Sequence, residues 1–215
     1  MTSMTPSSGS GPRLLLASAN RGKLAELRRL VPPEVAVLGL GDVPPYSPLP
    51  ESGATFEDNA LIKARQAAQE SGILALADDS GLEVDALNGM PGVLSARWCG
   101  RHGDDAANNA LLLGQLADVP DARRGAAFVS AVALVDPAGR AEVVRGRWPG
   151  RLIRESRGSN GFGYDPLFVP AESDADGTGR TSAELAPERK NELSHRARAM
   201  AAILPAVLSR LGLCR

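Results

Sequence analysis

Two adjacent aspartates, Asp78 and Asp79, follow the apolar run Ile73–Ala77 and precede Ser80-Gly81-Leu82. In α/β proteins, ligands bind where strands end. Hard carboxylate oxygens suit Mg2+, and a nucleotide brings the phosphates that complete its shell. On an extended backbone neighbouring side chains face opposite ways, so one aspartate serves a cleft and the other braces the turn. A solvated turn is the plain alternative.

Four further segments carry residue types that suit the same chemistry. Ser18-Ala19-Asn20-Arg21-Gly22-Lys23 joins a short apolar run to a helical pattern, and a helix N-terminus with a lysine suits phosphate. Its spacing is too short for a Walker loop, and Leu24 stands where Ser or Thr is needed. Taken alone, it reads as an ordinary strand–helix turn. Between Glu51 and Ala64, Phe56, Asn59 and Lys63 share one helical face beside the small residues Ala60, Ala64 and Ala67. That pattern fits a lysine aimed into a cleft, or a lysine at the edge of an amphipathic helix. The loop Gly158–Phe168 holds three glycines and three of the eight aromatic residues, which suits close backbone approach and base stacking, or a core aromatic beside a tight turn. The last segment places Lys190 near Ser194-His195-Arg196. His102, in a loop, reads as exposed.

Arginine outnumbers lysine 21 to 3, and the lysines are Lys23, Lys63 and Lys190. Where surface charge suffices this chain uses arginine, so the lysines mark places that need a compact ammonium, or else they are chance survivors of a biased composition.

The elements that must position these groups follow from pattern and punctuation. Arg13–Ala17 reads as a strand, Lys23–Val31 as a helix stopped by Pro32-Pro33, and Val35–Leu40 as a second strand. Thr55 caps a helix to Ser71, with Asp58 in the capping-box position. Ile73–Ala77 is a strand expected to end at the aspartates, with Leu82–Leu87 running back as another. Asp104–Leu116 is a helix, and Ala126–Val135 with Ala141–Trp148 is a hairpin. Glu172–Pro187 is polar and expected to be mobile. Pro187–Leu211 is expected to be one long helix kinked at Pro205. Helices alternate with strands early and a hairpin follows, which points to a mixed-sheet α/β fold rather than a doubly wound parallel one.

Composition narrows the partners. With 215 residues, 43% hydrophobic and 23% charged, the chain is ordinary globular material for one domain. The net charge of −1 argues against a broad nucleic-acid face, and no apolar run is long enough to cross a bilayer. Cys99 and Cys214 form neither metal-ligand spacing nor a disulfide framework, which suggests a reducing cytoplasm. Met1–Pro12 is rich in Ser, Thr, Gly and Pro, lacks signal-peptide features, and is expected to be a disordered tail ahead of a domain over residues 13–215.

Taken in order, these segments resemble the inosine triphosphate pyrophosphatase family, which hydrolyses non-standard purine nucleoside triphosphates. The resemblance rests on Ser18-Ala19-Asn20 with Lys23, Glu51-Ser52-Gly53 with Thr55-Phe56 and Asn59-Ala60, Lys63-Ala64, and Ala77-Asp78-Asp79-Ser80-Gly81-Leu82. It continues through Gly89-Met90-Pro91-Gly92 with Ser95-Ala96-Arg97, Gly161-Phe162-Gly163-Tyr164-Asp165-Pro166, and Ser194-His195-Arg196. Ala19 departs slightly from the Gly or Ser common there.

The resemblance implies two α/β lobes around a long twisted mixed sheet, a nucleotide cleft between them, a homodimer and a Mg2+ cofactor. It implies that Asp79 is the catalytic proton acceptor and a metal ligand, with Glu51 as a second acidic group at the metal. Substrate contacts would come from Ser18, Ala19, Asn20, Arg21, Gly22, Lys23, Lys63, Ser80, Phe162, Gly163, Tyr164, Asp165, Lys190, His195 and Arg196. The expected substrates are ITP, dITP and XTP, with no nucleic-acid or membrane partner. A Maf-type pyrophosphatase would want Ser-Pro-Arg-Arg after the first strand, where Asn20-Arg21-Gly22-Lys23 stands. A nucleotide-binding module without turnover would be expected to lack the carboxylates that this chain keeps. A protein with no nucleotide site leaves the placement of the lysines an accident.

Overall fold

The computed structural model describes residues 11–213. The expected tail falls mostly outside them, as does Cys214. Within them, Pro12 already gives its carbonyl to the Ala36 amide at 2.9 Å. Six strands form one mixed sheet in the order β2-β1-β3-β4-β5-β6. They are β1 (Arg13–Leu16), β2 (Ala36–Leu38), β3 (Leu74–Val84), β4 (Gly125–Val135), β5 (Ala141–Leu152) and β6 (Phe168–Pro170). β1 runs parallel to β2 and β3, and the remaining pairings are antiparallel.

The helices are α1 (Arg21–Leu30), α2 (Phe56–Ser71), α3 (Asp105–Gln115), α4 (Ala171–Ala175), α5 (Pro187–Leu193) and α6 (His195–Arg210). Their ends obey local chemistry. Asn20 caps α1 by accepting from the Gly22 and Lys23 amides at 2.8 and 3.1 Å. Thr55 and Asp58 close the expected capping box on α2, which stops at Gly72 in the left-handed region (φ 67°).

Three expectations are corrected. β3 does not end at the aspartates; it is one 11-residue strand, paired with β4 from Ala75↔Val135 to Val84↔Ala126. The long partner carries the backbone straight through Asp-Asp-Ser-Gly. Gly81 is there for close approach rather than a turn: a Cβ would strike Ser95 Oγ and come within 2.7 Å of the Gly92 carbonyl. The expected C-terminal helix is two. Ser194 adopts an extended conformation (ψ 155°) and caps α6 by accepting from the Ala197 amide at 3.2 Å. A serine at that point gains more as a cap than inside a helix. Past this break α6 runs through Pro205 to Arg210. The polar segment 172–187 is largely anchored: Thr181, Ser182 and Ala183 are buried, and Leu185 joins a core cluster.

Side-chain alternation along the strands splits the interior. On one face, Ala75 and Ala77 of β3 and alternate residues of β4 meet Ala60, Ala64 and Ala67 of α2, small residues that let the helix sit close. On the other, Leu74 and Leu76 pack with Leu27 of α1 and with Ala199, Ile203 and Val207 of α6. Further along β3 and β4, Leu82, Val84 and Phe128 belong to a separate core with Leu112 of α3, Leu116 at its C-terminal cap, Trp148 and Phe168. These cores give two lobes on one mixed α/β sheet, with a cleft where they part.

Candidate active site

The cleft is floored by β3 and β4 and walled by α6 on one side and by the α3 lobe on the other. Ser80, Phe162, Gly163, Tyr164, Asp165, Lys190, His195 and Arg196 all line it, so eight residues singled out from three separate sequence segments meet in one cavity. The Ser194 break puts His195 and Arg196 on the first turn of α6. Gly146 on β5 makes this possible, since a Cβ there would come within 2.5 Å of the Ala199 amide and collide with the His195 carbonyl.

The Phe162–Asp165 wall is held from three directions. The Asp165 carboxylate accepts from the Phe162 amide at 2.9 Å and from Ser182 Oγ at 2.7 Å, and it pairs with the Lys190 ammonium. The Tyr164 hydroxyl donates to the Ser95 carbonyl at 2.9 Å. From α3, Asp105 accepts the Gly163 amide at 2.6 Å, and Asn109 donates to the Gly163 carbonyl at 2.9 Å. Tyr164 and Asp165 therefore line the cavity while committing polar atoms to the protein. Phe162 does the opposite. The residue is 64% exposed at the mouth, with the Lys190 and Arg196 cations 5.4 and 5.7 Å from its ring centroid.

His195 stacks on Phe128 with ring centroids 5.1 Å apart, and its Nδ1 is buried without a partner. Burial, reinforced by the Arg196, Lys190, Lys23 and Arg198 charges, pushes the imidazole down to about 3. It is therefore neutral near pH 7 and offers one donor and one acceptor.

Asp79 points to the opposite face of β3, toward α2, as strand alternation requires. Asn59 Nδ2 donates to its Oδ2 at 3.1 Å, and the Lys63 ammonium stands 3.3 Å from Oδ1. The same ammonium is 3.1 Å from Glu51 Oε1. Asn59 is held in turn by the Gly53 amide, which donates to its Oδ1 at 2.8 Å. Burial raises the Asp79 pKa above the usual value; Lys63 and Asn59 oppose the shift and Glu51 adds to it. Asp78 faces the α1 side, where Lys23 Nζ lies 2.6 Å from its Oδ2.

β1 pairs with β3 only as far as Leu16↔Leu76, and beyond Gly81 the segment Gly92–Arg97 packs on β3. Asp78, Asp79 and Ser80 lie between, three successive residues feeding three neighbouring clusters about 3.3 Å apart along the strand. Arg196 links two of them, lining both the cleft and the space around Lys23 and Asp78. Ser18, Ala19, Asn20 and Arg21 line a separate groove with Gly39–Asp42, and Gly22 lies in the first turn of α1.

Among the described residues, no three His, Cys, Asp or Glu side chains gather as a metal cage. Glu51 and Asp79 nevertheless converge on one positive group, the Lys63 ammonium. Two hard carboxylates fit Mg2+, which takes one or two from protein and the rest from water and phosphate. Nothing in the sequence pattern points to Asp105 or Asn109, and Ser95 stands out only through the Ser95-Ala96-Arg97 motif of the resemblance. Asn59 stands out in the sequence through the helical face it shares with Lys63 and through the Asn59-Ala60 pair of the resemblance.

The chain is 61% identical over 199 residues to the dITP/XTP pyrophosphatase of Nocardia farcinica, covering 91% of this chain and 94% of that one. A crystal structure described as nucleoside-triphosphatase / dITP/XTP pyrophosphatase, from Mycobacterium abscessus, superposes with a TM-score of 0.78 at 62% identity, covering 90% and 99% of the two chains. The Staphylococcus aureus Ham1 protein gives a TM-score of 0.84 at 35% identity, covering 92% and 99%. The Ham1 family model matches residues 14–206, nearly the whole chain, and with relatives this similar along their full length the chain belongs to the Ham1 family.

Proposed function

We propose that this chain hydrolyses the non-standard purine nucleoside triphosphates ITP, dITP and XTP to the monophosphate and pyrophosphate, and so removes deaminated purines from the nucleotide pool. The observation that carries this reading is the half-buried Asp79 carboxylate, held by Asn59 and Lys63 beside Glu51, at the point of β3 where the cleft begins. The work falls to one domain over residues 13–215.

A water oxygen bonds to the α-phosphorus as the bond from that phosphorus to the bridging oxygen of the β-phosphate breaks, and pyrophosphate departs. Asp79 Oδ accepts the proton of the attacking water, a role helped by burial that keeps its basicity up. Lys63 and Lys23, now resting on carboxylates, turn to the phosphates as compact point charges. Ser18 to Gly22 border the phosphates near the α1 terminus. Glu51 and Asp79 would hold Mg2+, which when bound neutralises charge on phosphate oxygens. Phe162 stacks on the base, Ser80, Gly163, Tyr164, Asp165 and Lys190 shape its pocket, and His195 and Arg196 read its edge.

Base choice follows from donors. Hypoxanthine and xanthine present a 6-keto acceptor to Arg196 and to a His195 N–H, whereas adenine presents a donor there. Two buried donors left unpaired predict a preference for ITP over ATP of roughly 10²–10⁴ in kcat/KM. A panel of triphosphates with Mg2+, scored for monophosphate and pyrophosphate, tests both claims. Release of orthophosphate and a diphosphate would sink attack at the α-phosphorus, and equal rates on ATP and ITP would sink the base reading.

The setting we propose is a cytoplasmic homodimer, which light scattering of the purified chain checks. Among the described residues no helix is long and apolar enough to cross a membrane.

A further inference from the structure

Beside the Lys23–Asp78 pair, a small chamber lies between α1, β1, β3, β4 and α6. Lys23, Asp78, Ser130 and Arg196 are among its polar walls, and Leu16 and Val132 among its apolar ones. Its volume of about 20 Å3 exceeds the roughly 10–15 Å3 that a single water needs, and leaves room for little more.

Two of the wall residues each carry a buried polar atom with no hydrogen-bond partner, Ser130 Oγ and Arg196 Nε. Ser130 is fully buried, and it pairs in register with Ser80 across β3 and β4, so its side chain shares the face that meets α6. Val132 and Phe128, its neighbours on that face of β4, are apolar. Nothing in the packing of this strand calls for a hydroxyl, and a buried hydroxyl without a partner is costly. One water in the chamber would satisfy both orphans by accepting from the Arg196 Nε–H and exchanging a hydrogen bond with Ser130, with the Asp78 carboxylate on the same wall as a further acceptor.

We propose that Ser130 is a positioning residue for base recognition, acting through one internal water that fixes the Arg196 guanidinium. This rests on the reading of Arg196 as a donor to the base. A guanidinium is a rigid planar fork, so an anchor at Nε sets where its two terminal nitrogens point. The same water ties the base-reading end of the site to the Lys23–Asp78 pair at the phosphate end.

Two measurements on the full chain decide it. The first is a crystal structure at a resolution that orders internal waters. The expected result is one water within hydrogen-bond distance of both Ser130 Oγ and Arg196 Nε; a dry chamber, or a water that reaches only one of them, overturns the proposal. This reading stands even if Ser130→Ala fails to fold. The second is steady-state kinetics of Ser130→Ala. KM for ITP should rise about fivefold, the effect of one ordinary hydrogen bond, with kcat within about twofold of the parent. In an Arg196→Ala background the same change should add nothing to KM. An unchanged KM in the single variant, or an undiminished fivefold rise in the double variant, overturns the positioning role. A parent chain that turns over no 6-keto triphosphate refutes the proposed function instead, while the crystal structure still decides whether the water links Ser130 to Arg196.

Discussion

Asp79 and Lys63 sit 3.3 Å apart, yet the two should fail differently when changed. Asp79→Asn keeps the shape and leaves Asn59 and the lysines in place, but it removes the proton acceptor and one of the two carboxylates for the metal. Turnover of ITP should fall by about 10²–10⁴, with nucleotide affinity in the absence of turnover largely kept. If calorimetric binding and turnover disappear together, Asp79 acts mainly in binding. If neither changes, Asp78 becomes the first suspect. Lys63→Arg keeps the charge but widens it. The ammonium bridges Glu51 and Asp79 at 3.1 and 3.3 Å from a helix that packs on the sheet through Ala60 and Ala64, and a planar guanidinium cannot occupy the same point. A loss of roughly 10–100-fold in kcat/KM is expected, the range for one hydrogen bond to a charged group. Parent-like kinetics in this variant would remove the reason to read the three lysines as special.

At the level of elements, what was legible in the sequence was what neighbouring residues decide. The Thr55/Asp58 box, the Asp136–Gly139 hairpin turn and the apolar run of β4 are local, and their elements stand within a few residues of expectation. β3 was not legible, because its straight passage through Asp78–Gly81 depends on β4, some fifty residues away. Nor was the clamp of Asp105 and Asn109 on Gly163, which spans 58 and 54 residues. Ser194 could be read as part of a motif but not as a break, since a helix pattern continues through it and only the cap geometry reveals two helices. The residues that meet in the cleft are among those singled out by type and order in the sequence, but Ser18–Arg21, singled out with them, line a separate groove. The division of the site between the two faces of β3 was legible only in part, through the alternation of Asp78 and Asp79. The seat of α6 on β5 gives this scale its own test. Gly146→Ala forces a methyl group against the α6 backbone at His195 and Ala199, so it should cost about 1–3 kcal/mol of stability. It should also raise KM for ITP, because the displaced turn carries His195 and Arg196. Thermal unfolding with parallel kinetics checks it; a lowered Tm with KM untouched would show that α6 settles back without disturbing the base-reading residues.

The molecule as a whole is two lobes joined along one sheet, and His195 lies at the joint. Its helix anchors in the α1/α6 core through Ala199 and Ile203, while its ring stacks on Phe128 of the other core. A charge at this point would be unfavourable to both, which is why burial and four neighbouring cations hold the imidazole down to about 3 rather than near 6.5. The consequence for stability has a definite sign. Above about pH 6.5 the ring is neutral in folded and unfolded chains alike, and it adds no pH dependence. As the pH falls below that, the unfolded chain takes up a proton that the folded chain refuses, so stability drops by at most about 1.4 kcal/mol per pH unit from this group. The decline ends near pH 3, where the folded ring protonates as well. Because His195 borders the cleft, solvent tempers the slope below that ceiling. Carboxylates confuse the picture below about pH 5, so the informative window runs from about pH 5 to 6.5. Chemical denaturation of the parent across that window should show stability falling toward acid, and His195→Gln should flatten the curve there. In the folded parent, the His195 ring resonance should hold still from about pH 8 to 5. A ring that titrates near 6.5 in the folded chain would mean that the joint between the two cores admits water freely, and the neutral His195 assigned to base reading would have to be replaced by a charged one.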